Sequence, residues 1–278
     1  MSNPYILPPG NVQIAFSGGR TSAYMLHEII EANGGLPEDR VQVIFANTGM
    51  EMPQTLDFVA EVGRRWGVVI TWLEYSPASP GYIETGYQGA SRAGEPFEAM
   101  IDKKKFLPNQ RFRFCTTELK VRNAKRYLVD LGWKNWTAAV GFRADEAHRD
   151  KGQLKERWTR WTPLIAAGVT KRHVSAFWKA QPFDLRLPNI NGKTPHGNCV
   201  GCFLKSEAFL ARLAREMPVQ HAWWERMEAK VEGLTTGDGG RWSKRFSRAE
   251  LRNAVERQPL LLETEGALCQ ADGGECIA

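Results

Sequence analysis

The sequence predicts an α/β protein, a mostly parallel twisted sheet with helices on both faces, followed by a small helical C-terminal region. Three observations predict it. Short strand-type runs alternate with amphipathic helical stretches through the first 140 or so residues, as βαβ crossovers onto a parallel sheet require. The loops that end the first two runs, Ser17-Gly18-Gly19 and Asn47-Thr48-Gly49, fall where a parallel sheet places its ligand-binding turns. From Ser206 onward, helical patterns follow one another with no strand-like run between them. We expect a core over residues 1–165 and a helical region over 166–278.

The first strand is carried by Val12, Ile14 and Phe16, and the following helix from Thr21 to Ala32 by Tyr24, Met25, Ile29 and Ile30 on a helical period. Val41 to Ala46 is a β-branched run suited to a buried strand. Met50 to Trp66 is helical, with Leu56, Val59, Ala60, Val62 and Trp66 near one face and Pro53 acceptable in the first turn. A third strand covers Val68 to Leu73. Ser76 to Lys105 is rich in Gly and Pro and reads as an irregular surface loop or lid. Lys103-Lys104-Lys105 reads as a solvated face. A helix then runs to about Leu131, and Trp136 to Val140 forms a further strand. Lys151 to Arg160 is highly charged and is expected in solvent. Helices are expected from Thr170 to Ala180, Ser206 to Met217, Val219 to Glu232 and Ser247 to Arg257.

Bulk properties narrow the chemistry. The net charge of +6 suits polyanions, but it is spread along the chain, so nucleotide phosphates account for it as well as nucleic acid does. No apolar run approaches the ~20 residues of a membrane span, and Met1-Ser2-Asn3-Pro4 lacks the zones of a signal peptide. The expectation is a soluble, cytoplasmic protein. Five cysteines in such a chain argue for free thiols or metal ligands rather than disulfides.

The loop Ser17-Gly18-Gly19-Arg20-Thr21-Ser22 reads as a phosphate cradle. Its glycines let backbone N–H groups approach a ligand, the next helix offers free N–H donors, and Arg20 adds a cation. A tight turn alone would account for Ser-Gly-Gly. The spacing is not that of a Walker loop. Cys199 and Cys202 have C-x-x-C spacing, which places two thiolates on one metal across a turn, with a redox pair as the competing reading. Cys115 stands among Arg111, Arg113 and Lys120, a setting that favours thiolate. With Cys269 or Cys276 from the tail, these make four thiolates, a count that suits an iron–sulfur cluster or zinc alike.

Four ordered segments over about residues 12–205 resemble the PP-loop superfamily of ATP pyrophosphatases and phosphoadenosine phosphosulfate (PAPS) reductases. Ser17-Gly18-Gly19-x-Thr21-Ser22 resembles its phosphate loop. Asn47-Thr48-Gly49 through Pro53-Gln54-Thr55 is similar to its Asp-Thr-Gly-x-x-x-Pro-Glu-Thr element, with Asn47 and Gln54 in place of the acids. Cys115-Thr116 through Lys120 and Gly141-Phe142-Arg143 through Glu146 and Arg149 are similar to two further elements.

The resemblance implies a Rossmann-like sheet and an adenine nucleotide (ATP, PAPS or its 3′-dephospho relative APS) bound by Ser17, Gly18, Gly19, Arg20, Thr21, Ser22, Asn47, Thr48, Gly49, Gly141, Arg143 and Arg149, with Mg²⁺ as a candidate companion. It implies a 4Fe–4S cluster on Cys115, Cys199, Cys202 and Cys276, zinc being the alternative. Cys269 is then a candidate nucleophile or sulfur carrier, and Arg143 a catalytic phosphate clamp. A sulfur donor or thiol or electron donor protein would be a partner, with a nucleic acid as candidate acceptor.

Two reactions follow from the resemblance: ATP cleavage to AMP and pyrophosphate with sulfur transfer to an activated acceptor, or reduction of PAPS or APS with release of sulfite. Reductases end in a Glu-Cys-Gly-(Ile/Leu)-His segment, whereas this chain has Glu275-Cys276-Ile277 and stops one residue later. Its intact Ser-Gly-Gly loop favours ATP. A non-catalytic, zinc-stapled nucleic-acid-binding module is the reading from another class, permitted by segments such as Arg157-Trp158-Thr159-Arg160-Trp161.

Overall fold

A computed structural model describes residues 3–150, 155–190, 194–234 and 237–257. Its centre is one six-stranded sheet with strand order β4-β3-β2-β1-β5-β6. The strands are β1 (Val12–Ala15), β2 (Val41–Asn47), β3 (Ile70–Tyr75), β4 (Tyr82–Thr85), β5 (Trp136–Ala139) and β6 (Trp158–Trp161). All neighbours are parallel except β3 and β4. Ten helices are described: α1 (Arg20–Asn33), α2 (Pro53–Trp66), α3 (Glu95–Lys104), α4 (Phe114–Thr116), α5 (Arg122–Asp130), α6 (Pro163–Ala166), α7 (Lys171–Ala180), α8 (Glu207–Glu216), α9 (Pro218–Val231) and α10 (Arg248–Arg257). A π-helical turn, Thr117–Val121, joins α4 to α5.

The central strands are buried on both faces, and their alternation divides the core. Val12, Ile14, Val43 and Phe45 pack with Met25, Leu26 and Ile29 of α1, Leu56, Phe58 and Val59 of α2, and Val174 and Trp178 of α7. Ile44, Leu73 and Ala138 face the other way, against Ala124, Tyr127 and Leu128 of α5. Successive residues of a strand point to opposite faces, so one β-branched run supplies both cores. Gln13 turns to the α5 side and accepts a hydrogen bond from Trp136 Nε1 at 3.0 Å.

Residues on both sides of position 165 share the first of these cores, since Val174, Trp178, Leu185, Val200 and Leu213 belong to it. Beyond it lies a third cluster, an aromatic box in which Trp242 meets Trp224 at 4.6 Å, Phe203 at 5.9 Å and Phe97 at 5.9 Å between ring centroids.

Two segments differ from expectation. The stretch read as an irregular loop contains β4 and α3. Gly81 and Gly86 bracket only four strand residues, Tyr82 to Thr85, too few to show a period. The charged stretch expected in solvent ends in β6, where Trp158 stacks on Trp136 at 5.4 Å and Arg160 pairs with Asp150 at 2.6 Å. Within the lysine run, Lys104 reaches Glu118 at 2.8 Å and Lys103 donates to the carbonyl of Pro77 at 3.1 Å.

Candidate functional site

The strand order reverses at β1: the chain steps outward through β2 and β3, then returns to place β5 on the other side. Ligands of open α/β sheets bind outside the carboxyl ends of the strands at such a switch point. There, a cleft of about 520 Å³ including its open mouth is lined by Ser17, Gly18, Gly19, Arg20 and Thr21 after β1, Arg143 after β5, and Lys171 and Ser175 of α7. Thr194, Gly197 and Asn198 complete its wall.

The phosphate loop is shaped from within. Gly18 takes φ +75°, and a Cβ there would lie 2.8 Å from Thr55 Cγ2 and 3.0 Å from Val59 Cγ2. Only glycine meets both demands. Ser17 and Ser22 hydroxyls lie 2.9 Å apart, and the Ser22 hydroxyl also donates to the Gly19 carbonyl at 3.0 Å. Gly19 is the N-cap of α1 and no side chain caps it, so first-turn N–H groups and the positive end of the helix meet at the cleft. Lys171 opens α7 at the same cleft. Gly141 brings the end of β5 against α1, with a Cβ position 3.5 Å from Ser22 Cα.

The arginines divide by role. Arg20 lines the cleft, but its guanidinium is taken up by the chain. It forms a bidentate pair with Asp184, both contacts at 2.6 Å, and donates to Thr194 Oγ1 at 3.0 Å and the Leu187 carbonyl at 2.8 Å. It therefore fastens the wall to the loop. Arg143 donates to Thr21 Oγ1 at 3.1 Å and to Asp145 at 3.0 Å, with Glu146 at 3.2 Å. Burial works against ionisation of Asp145, yet the hydrogen bonds and charge of Arg143 hold its carboxyl below the usual range. Arg149 pairs with Glu146 at 2.6 Å, stacks over Phe142 at 5.1 Å and does not line the cleft.

Asn47, Thr48 and Gly49 also stand outside the lining and organise the ground beside it. Asn47 donates to Glu74 Oε1 at 2.6 Å and to the Ser91 carbonyl at 2.9 Å, while its own oxygen accepts the Gly49 N–H at 3.1 Å. Glu74 also accepts the Ser91 backbone N–H and hydroxyl, each at 2.7 Å. An Asp at position 47 would set two carboxylates in contact, so the amide is what this network needs. Thr48 donates to Glu51 through its N–H at 2.9 Å and its hydroxyl at 2.8 Å. Burial pushes the Glu51 carboxyl above its usual range, against the pull of Lys120 and the Thr48 bonds.

The cysteine turn begins beside the cleft. Asn198 lines it, and the next residue, Cys199, is buried with its Sγ 3.4 Å from Thr48 Oγ1. Cys202 closes the turn through its N–H to the Cys199 carbonyl at 3.2 Å, and Val200 N–H ties the turn to Met50 O at 2.7 Å. Cys115, in α4 just before the π turn, packs against the apolar cluster that holds Cys199 and Cys202. Three thiols from two separate segments thus belong to or pack against one apolar cluster. Soft thiol donors in such surroundings suit a thiolate-bound centre, although among the described residues no group of three or more His, Cys, Asp or Glu side chains is arranged to hold a metal ion. Cys269 and Cys276 lie outside the described residues.

Sequence reasoning missed Lys171, Asn189, Thr194 and Asn198 as lining residues. Lys171 carried a usable signal, a cation at the first position of a helix. The others lie in irregular chain with no period to read.

A family model for the phosphoadenosine phosphosulfate reductase domain matches residues 11–167, more than half of the 278-residue chain. The chain belongs to this family. The matched span contains the phosphate loop, Arg143 and Cys115. An uncharacterized nin region protein of Escherichia phage lambda is 34% identical over 206 residues, covering 69% of this chain and 66% of that protein. An uncharacterized protein of Methanocaldococcus jannaschii is 24% identical over 249 residues, covering 84% and 44%. The chain thus spans just under two thirds and less than half of these two relatives. Among solved structures, a PAPS reductase from Candida auris in a phosphate complex is similar at 19% identity and TM-score 0.38, covering 64% of this chain and 76% of that one. The U34-tRNA thiolase NcsA from Methanococcus maripaludis, with its 4Fe–4S cluster, is similar at 14% identity and TM-score 0.41, covering 96% and 80%. Among the described residues no helix is long and apolar enough to cross a membrane.

Proposed function

We propose that the chain is a nucleotide-dependent sulfur enzyme that binds ATP across the switch-point cleft and cleaves it to AMP and pyrophosphate, activating an acceptor for sulfur transfer. One observation carries this reading: the wall of the phosphate cleft runs directly into the cysteine turn, Asn198 lining the one and Cys199 beginning the other. On this reading an acceptor oxygen attacks the α-phosphorus, and the bond to the β-phosphate oxygen breaks. Pyrophosphate leaves onto the Ser17–Ser22 loop, where the N-terminus of α1, Arg143 and Lys171 offset its charge. An anionic sulfur then displaces AMP from the adenylated acceptor.

Cys115, Cys199 and Cys202, with Cys276 as the expected fourth, are the residues that would hold a cluster. Bound there, a 4Fe–4S cluster would supply a soft Lewis-acid site for sulfur only at an iron whose thiolate had given way, since four cysteines ligate all four irons. Cys269 is retained as a candidate sulfur carrier, Mg²⁺ as a companion of the nucleotide, and a sulfur donor as a partner.

The test is incubation with ATP, PAPS or APS while pyrophosphate and sulfite are followed separately. Pyrophosphate from ATP alone is expected, reduced at least tenfold by Ser17→Ala, a loss of about 1.4 kcal/mol. Sulfite from PAPS or APS would replace this reading with a reductase. Neither product, together with unchanged nucleotide binding in Ser17→Ala, would leave the enzymatic reading without support.

A further inference from the structure

Behind the Cys199–Cys202 turn lies a charge that the nucleotide chemistry does not use. Arg248, the first residue of α10, is 1% exposed. Its Nη2 donates to the carbonyl of Gly201, inside the cysteine turn, at 2.7 Å, and its guanidinium lies over the Trp224 ring at 5.2 Å. Its Nη1 is buried and has no hydrogen-bond partner. The nearby Glu228 carboxylate spends its hydrogen bonds on backbone, accepting the N–H groups of Arg248 and of Trp242, the latter at 3.2 Å. Burial pushes the Glu228 carboxyl above its usual range and pulls the Arg248 guanidinium down to about 10, against the opposing charge of Glu228.

A guanidinium taken out of water with an unpaired donor is costly unless an anion answers it. Gly201 takes φ +75°, and a Cβ there would stand 2.5 Å from Trp224 Nε1. The turn is thereby pressed against the indole that Arg248 covers.

We infer that Arg248 is a positioning residue for the cysteine pair, holding the turn through Gly201 and presenting a buried positive charge to an anionic sulfur group there, whether a thiolate or a thiolate-bound centre. The inference rests on the reading of Cys199 and Cys202 as working thiols, but not on which nucleotide the cleft takes. It assigns α10, far along the chain from the family core, to the sulfur side of the site.

The test uses the full chain, reduced and stripped of metal by chelation, at one fixed pH. Alkylation of Cys199 and Cys202 by anionic iodoacetate and by neutral iodoacetamide is followed by peptide mass mapping, with glutathione and Cys115 as references. In the native chain the iodoacetate-to-iodoacetamide rate ratio at Cys202 is expected to exceed that of glutathione several-fold. Arg248→Met should lower it about tenfold, Arg248→Lys should keep it within about threefold of native, and the ratio at Cys115 should not move. A native ratio at Cys202 equal to that of glutathione overturns the inference without any variant, so a variant that fails to fold does not shelter it. An unchanged ratio in folded Arg248→Met overturns it equally. ATP binding is measured on the same native chain: its absence sinks the nucleotide reading while the alkylation ratio still decides the role of Arg248.

Discussion

The phosphate cleft and the aromatic box around the cysteines differ in what holds them. The cleft is polar backbone shaped by glycine angles and buried ion pairs, with Arg20 and Arg143 each anchored to carboxylates. The box is apolar surface packed ring against ring, with the buried Arg248 and Glu228 as charged exceptions. The contrast teaches that recognition and stability are assigned to different halves of one site. A change in the box should cost stability first, and a change in the loop should cost binding first.

Trp242→Ala tests that division most severely. It removes a 1% exposed indole whose Nε1 donates to Trp224 O at 2.9 Å, and a loss of ~3–5 kcal/mol in urea unfolding is expected. Nucleotide affinity per folded molecule should stay within about threefold. If affinity falls as steeply as stability, the two regions are one cooperative unit.

Gly18→Ala should do the reverse. The substitution forces a Cβ to within 2.8 Å of Thr55 at φ +75°, and ATP binding by calorimetry should weaken about 100-fold, or ~2.8 kcal/mol. The strain itself should lower stability by on the order of 1–3 kcal/mol. Native affinity in this variant would mean that the loop is a turn and nothing more.

Asn47→Asp probes the border. It replaces the donor that meets Glu74 at 2.6 Å with a second carboxylate, and should cost ~1–3 kcal/mol at pH 7. The loss should shrink toward pH 4, where one carboxyl of the pair takes a proton, as thermal unfolding across pH would reveal. The smallest effect belongs to Asp145→Asn. The native carboxyl is held below its usual range, so its contribution is present above the unfolded value of about 3.9 and is lost as pH falls through the lower folded value. The variant should show a flatter decline of stability below about pH 4 than the native chain.

Much of the sheet could be read from the sequence because a parallel strand buried on both faces is an uninterrupted β-branched run, and Val41 to Ala46 is such a run. β4 and β6 could not, because they are the half-exposed edge strands with polar residues among the apolar ones, and the pairing that makes them strands comes from β3 and β5. The phosphate loop was legible because its glycines answer a local backbone demand. Arg20 shows the limit of that reading. Its position beside the glycines pointed to an anion, and the partner it takes, Asp184, lies 164 residues further on. Arg149 likewise takes a partner, Glu146, and stands outside the cleft lining. Arg248 had no local signal at all, since its meaning depends on a turn 47 residues earlier.

The shared wall of the cleft and the cysteine turn has a geometric consequence. Adjacent α-carbons are about 3.8 Å apart, so Asn198 in the cleft wall and Cys199 in the cysteine turn are one peptide unit from each other. The backbone that shapes the one therefore sets where the other begins, and a change that shifts the wall shifts the turn with it.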